Sequence, residues 1–63
     1  MAVLFRTDYD VEIAGARTYE RDIYRFDDLL GPVRDQLHRR SGFGVLRWRS
    51  PDGSTWLIRP ILG

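Results

Sequence analysis

The chain has no cysteine and no lysine, a single histidine, and no apolar run of membrane-spanning length. Without cysteine there is no disulfide framework, no thiolate nucleophile and no cysteine metal site. His38 stands alone, whereas a histidine ligand normally works with companions, so no metal or other cofactor is expected. A bilayer-crossing helix needs about 20 consecutive apolar residues, and none are present. The opening Met1-Ala-Val-Leu-Phe-Arg6 has neither the charged segment nor the long apolar core of a signal peptide. The expectation is a complete cytoplasmic protein with no membrane partner. Net charge is only +1, too small for a protein that grips nucleic acid mainly by bulk counterion release.

What is present is a compact amount of core material. The 63 residues are 43% hydrophobic and include two Trp, three Tyr and three Phe. That suits one domain over residues 1–63, with one modest core. All ten basic residues counted as charged are arginines. They run along the whole chain, as a GC-rich coding sequence would produce, although arginine also suits planar, bidentate recognition. Charge is polarised. Residues 1–33 hold four arginines against seven acids, net −3, and residues 34–63 hold six arginines against two acids, net +4. Such asymmetry either marks a dipolar interaction surface or is neutralised inside the fold.

Val45-Leu-Arg-Trp-Arg-Ser-Pro-Asp-Gly-Ser-Thr-Trp-Leu-Ile-Arg59 reads as a β-hairpin with a definite register. Pro51-Asp52-Gly53 suits a type I turn followed by a glycine bulge. With those three residues as the loop, Ser50 faces Ser54, Trp48 faces Trp56 and Leu46 faces Ile58. Side chains alternate along a strand, so Val45, Arg47, Arg49, Thr55, Leu57 and Arg59 take the other face. One face is for a core, and the other carries arginine.

Upstream, Val3, Phe5, Tyr9, Val11 and Ile13 alternate with Arg6, Asp8, Asp10 and Glu12, the period of a half-buried strand. Ala14-Gly15-Ala16-Arg17 forms a turn. Thr18 to Phe26 reads as a more charged second strand with Tyr19 and Ile23 on one face; its Glu and Arg content also permits a helix, but the first strand needs a partner. Asp27-Asp28 favours a helix start. Leu29, Val33 and Leu37 form a stripe at helical spacing, with Leu30 beside it. Pro32 suits a first helical turn, leaving residues 27–30 as a looser opening. His38, Arg39 and Arg40 complement the helix dipole, and Gly42 is the expected cap.

The resulting order is β-β-α-β-β, an α+β class fold: a four-stranded sheet with the helix across one face. Val3-Leu4-Phe5 and Trp56-Leu57-Ile58 are the most continuously apolar strand segments and belong in the centre. The charged strands 18–26 and 44–50 belong at the edges. This predicts a mixed sheet of order 2-1-4-3, its first and last strands parallel through a right-handed crossover. Pro60 cannot donate to a ladder, so regular pairing should end near Arg59.

Phe5-Arg6, Asp28-Leu29-Leu30-Gly31-Pro32-Val33-Arg34 and Leu46-Arg47-Trp48-Arg49-Ser50-Pro51-Asp52-Gly53 give this plan a likeness. The chain resembles the β-grasp superfamily, protein G-like and ubiquitin-like domains among it, and is most similar to Phox/Bem-type interaction domains. The resemblance covers the chain in plan and is specific around residues 46–58. Arg6 stands where that family has a lysine, and Asp52 is what remains of its acidic motif. The resemblance implies a protein-binding domain and no catalysis.

The candidate binding residues are Arg6, Arg47, Arg49, Leu57 and Arg59, on the sheet surface away from the helix, with Leu4 and Val45 among them. Arginine with apolar neighbours suits a protein-binding surface, and the same arginines could grip phosphates. The ordinary alternative is a solvated face, with Arg stems covering Leu4 and Leu57. Both tryptophans point to the core, which removes the stacking platform that single-stranded nucleic acid favours. Asp8, Asp10 and Glu12, with Glu20 or Asp22, could hold a hard cation, but cross-strand pairing with Arg17, Arg21 or Arg59 suits them better. An Asp35-His38-Ser41 row along one helix flank is not a nucleophilic triad. The function expected is that of a small non-enzymatic regulator or inhibitor, its size and composition suiting a phage or mobile element, binding a protein partner through the arginine face or an edge strand. Nucleic-acid binding and head-to-tail self-association are the alternatives.

Overall fold

A computed structural model describes residues 8–40 and 44–61. It contains strands β1 (Asp8–Ala14), β2 (Tyr19–Arg25), β3 (Leu46–Arg49) and β4 (Thr55–Ile61), and one helix, α1 (Gly31–Arg39), preceded by a short 3-10 turn at Phe26–Asp28. The sheet order is β2-β1-β4-β3, as the apolar content of the segments predicts. Within residues 18–26, Tyr19–Arg25 form a strand rather than a helix, and Phe26 opens the 3-10 turn. Val3 to Phe5, Arg6 and the expected Gly42 cap lie outside the described residues.

The second hairpin has the register its turn dictates. Leu46 pairs with Ile58, Arg47 with Leu57, Trp48 with Trp56 and Arg49 with Thr55. The Ser50 amide donates to the Ser54 carbonyl at 2.9 Å, and the Gly53 amide to the Ser50 carbonyl at 3.0 Å. Gly53 has φ of +90°, the left-handed conformation that the bulge position requires. Ser50 hydroxyl donates to the Asp52 carboxylate, whose Oδ1 also accepts from the Ser54 amide at 2.9 Å. These bonds hold the Asp52 carboxyl below the usual carboxylate range, Ser50 contributing most.

The sense of the central pair differs from expectation. β1 and β4 are antiparallel, Val11 opposite Ile58 and Asp10 opposite Arg59, so the sheet is antiparallel rather than mixed. The helix explains why. Leu30 is its N-cap residue and Pro32 sits in its first turn, so residues 26–30 add nothing to its length. Nine residues span about 13 Å. That is close to the three strand spacings, about 14 Å, separating edge strand β2 from edge strand β3. In the antiparallel sheet β3 begins at the end where β2 stops, and a crossing of that width suffices. A parallel centre would also require travel along a seven-residue strand, about 23 Å.

β4 also runs farther than expected, through Pro60 to Ile61. The Gly15 amide donates to the Thr18 carbonyl at 2.8 Å, closing the first hairpin. Hydrogen-bonded and non-hydrogen-bonded pairs alternate along an antiparallel ladder. Counting from that bond, Tyr9, Val11 and Ile13 direct their backbone groups to β2, and Asp8, Asp10, Glu12 and Ala14 direct theirs to β4. Pro60, opposite Tyr9, therefore turns its nitrogen away from β1, at a level where β3 has not yet begun. No ladder bond is lost there.

The core lies between the helix and one sheet face. Val11, Leu29, Val33, Leu46 and Ile58 are buried, with Tyr9, Ile13, Tyr24, Leu37, Trp48 and Trp56 packed around them. Trp48 meets Trp56 edge-to-face, ring centroids 5.8 Å apart, and Trp56 meets Tyr24 at 6.2 Å. Of the predicted helix stripe, Leu29 and Val33 are buried and Leu37 is half-buried, while Leu30 is exposed.

Candidate functional site: the outer sheet face and its edges

Strand parity turns Tyr19, Arg21, Ile23 and Arg25 of β2, Asp8, Asp10 and Glu12 of β1, Thr55, Leu57 and Arg59 of β4, and Arg47 and Arg49 of β3 away from the core. The face divides into two parts of different character.

The central part is a closed charge network. Arg21 binds Asp10 with two parallel hydrogen bonds, Nε to Oδ1 at 3.0 Å and Nη2 to Oδ2 at 2.7 Å. Arg59 Nη1 donates to Glu12 Oε1 at 2.6 Å and stands 3.7 Å from Asp10 Oδ2. Tyr19 hydroxyl donates to Glu12 Oε2 at 3.0 Å. Asp10 and Glu12 thus each have partners from both flanking strands. The carboxylates are largely covered, with side chains 17% and 20% exposed, against 57% for Arg21 and 39% for Arg59. The hydrogen bonds from Arg21 hold Asp10 below its ordinary pKa, and those from Arg59 and then Tyr19 do the same for Glu12. Tyr19, donating to Glu12, is held above the ordinary phenol value.

The β3 part is different. Arg47 and Arg49 are exposed, and among the described residues neither is in an ion pair. Half-buried Leu57 pairs directly with Arg47, and Val45, 47% exposed, precedes the strand. Arg40 adds a third cation nearby: its Nη2 would lie 3.0 Å from a Cβ built on Gly44.

Of the residues read from sequence as binding candidates, Arg47, Arg49, Leu57 and Arg59 share the outer face, and Arg6 lies outside the described residues. Arg59, however, is committed to Glu12 and Asp10. Glu20 and Asp22 do not join Asp10 and Glu12 in a carboxylate cluster, because the register puts them on the helix side. Asp35 and His38 are exposed on α1, and Ser41 lies outside the described residues.

The two edges also differ in their backbones. In the first hairpin, the same alternation directs the backbone groups of Tyr19, Arg21, Ile23 and Arg25 outward from β2. The Ile23 amide is already taken by Asp22 Oδ1 at 2.7 Å. In the second hairpin the Ser50–Ser54 bond makes Trp48 and Leu46 the hydrogen-bonded partners of β4, so Arg47 and Arg49 direct their backbone groups outward. No side chain among the described residues hydrogen-bonds those groups. Sequence reasoning identified the arginines but not this backbone assignment, nor the Asp22 block. The backbone assignment follows from the closing bond of each hairpin, whereas the Asp22 block is a side-chain contact that no strand pattern marks.

Among the described residues, no helix is long and apolar enough to cross a membrane. Comparison with family models, curated proteins and solved structures finds no match to this chain.

Proposed function

We propose that the chain is a small, non-enzymatic interaction protein that binds a protein partner at the β3 side of its sheet, with Arg47 and Arg49 as anchors. The observation that carries this reading is the contrast within one face. Arg21 and Arg59 spend their charge on Asp10 and Glu12, whereas Arg47 and Arg49 stand exposed beside Leu57 and Val45. Arginine is among the residues enriched at interface hot spots. Arg59, grouped with them by sequence, supports the face from within and contributes little free charge. That loss weakens the nucleic-acid reading most, since phosphate binding scales with the number of available cations.

The test is affinity purification from the native host with tagged wild type and with Arg47→Glu/Arg49→Glu, followed by reconstitution from purified components. A protein recovered by wild type, lost with the double variant and rebound by purified wild type is the expected result. Identical recoveries for the two would sink the reading. Salt-sensitive binding of DNA or RNA by wild type, without a recovered protein, would favour the nucleic-acid alternative.

A further inference from the structure

We infer that the β3 edge accepts an added strand from the partner, and that this strand carries acidic residues at alternate positions. The inference rests on the proposed use of the Arg47/Arg49 surface and specifies its occupant. Two observations converge on it. Arg47 and Arg49 direct both resources of recognition to the same margin: their backbone N–H and C=O groups face outward, and their guanidinium groups stand on the outer face. An antiparallel strand would pair its own hydrogen-bonding residues directly opposite these two. Side chains opposite each other share a face, so carboxylates at two positions, i and i+2, would meet Arg47 and Arg49 together.

The molecule contains an internal precedent. β1 carries Asp10 and Glu12 at i and i+2 and lies between two strands whose arginines, Arg21 and Arg59, bind those acids at 2.6–3.7 Å. The proposed complex uses the same arginine–carboxylate chemistry between neighbouring strands, with both arginines on one strand.

The other occupants fit less well. The β2 edge is interrupted by the Asp22 carboxylate on the Ile23 amide. A second copy offering its β2 would have to place edge-facing residues opposite Arg47 and Arg49. Those residues are Tyr19, Arg21, Ile23 and Arg25, two of them arginines. Its acids Glu20 and Asp22 have the wrong backbone phase. A foreign acidic strand meets neither obstacle.

The experiment titrates the isotopically labelled full chain with synthetic peptides at low salt, following backbone amides by NMR. The first peptide alternates, Thr-Glu-Thr-Glu-Thr-Glu-Thr; the second, Glu-Thr-Thr-Glu-Thr-Thr-Glu, has the same composition but no two Glu at i and i+2. Saturable shifts centred on residues 45–49, slowed exchange of the Arg47 and Arg49 amides, and about tenfold weaker binding of the second peptide are expected, since it aligns one carboxylate where the alternating peptide aligns two. N-methylation of the Glu residues should abolish binding, whereas N-methylation of the Thr residues, whose amides face away, should not. Arg47→Glu/Arg49→Glu should exchange preference to the Lys-for-Glu peptide. The N-methyl comparison needs no protein variant, so a folding defect in the double variant leaves the test intact. Equal affinity for the two peptides would overturn strand addition while leaving the arginine surface standing. Shifts centred on residues 19–25, or no saturable binding by the alternating peptide, would overturn the inference outright, and the purification experiment would then judge the broader reading by itself.

Discussion

The two hairpins use their faces in opposite ways. In β3–β4 the inner side is ordered by Leu46, Ile58 and the edge-to-face tryptophans, and the turn is set by a left-handed glycine. In β1–β2 the inner side of β2 offers only Tyr24 to the core, while the outer side is tied by Arg21–Asp10 and Tyr19–Glu12. Its turn has no residue of positive φ. Edge strand β2 therefore is held by its side chains mainly through charge, edge strand β3 through apolar burial. The hairpin that owes its order to burial has side chains left over for binding.

Ile58→Ala should lose about 2–5 kcal/mol, because it empties a fully buried site. Ile23→Ala in the other hairpin, at 55% exposure, should stay within about 0.5 kcal/mol. Denaturant midpoints of the two variants measure the difference, and equal losses would break the contrast. Next in size, Gly53→Ala should cost about 1 kcal/mol for forcing a Cβ into the left-handed region. Gly15→Ala should cost less, since its new Cβ meets only the movable hydroxyls of Thr18 and Ser54, at 3.1 and 3.4 Å.

Acid should act on the first hairpin preferentially. Asp10 and Glu12 have folded-state pKa values below their unfolded ones, through Arg21 and Arg59 respectively. Their contribution is fully present above the unfolded values, about 4, and is lost as pH falls through the lowered folded values. Amide exchange followed between neutral pH and that range should show β2 loosening before β3. Simultaneous loosening would mean that the charge network does not hold β2. The smallest effect is expected from Arg47→Glu/Arg49→Glu, which should leave the denaturation midpoint unchanged while abolishing partner binding. A marked drop would show that these arginines serve the fold.

The second hairpin was legible residue by residue, because Pro51-Asp52-Gly53 fixes a turn and the turn fixes every pair beyond it. Strand order agrees with the apolar run Trp56-Leu57-Ile58 of β4, whereas the Val3-Leu4-Phe5 run that places the first strand in the centre lies outside the described residues. The sense of the central pair did not. It depends on helix length, and Gly31-Pro32 shortens the helix at a place where the Leu29-Val33-Leu37 stripe continues unbroken. The role of Arg59 was hidden for the same reason. Only an antiparallel centre puts Asp10 directly opposite it, with Glu12 on the neighbouring diagonal. The arginines of β3 were visible as residue types. Their outward backbone groups emerge only when the Ser50–Ser54 bond is used to count along the ladder.

The bond from the Ile23 amide to Asp22 has a consequence for assembly. In a sheet of four alternating strands the outer two run in opposite senses, so copies stacked side by side would continue the alternation indefinitely. Such a molecule is a natural monomer of a fibre. The Asp22 carboxylate occupies a backbone donor that the next copy would need, which gives the sheet a valence of one. A strand can be received at β3, and there the growth stops.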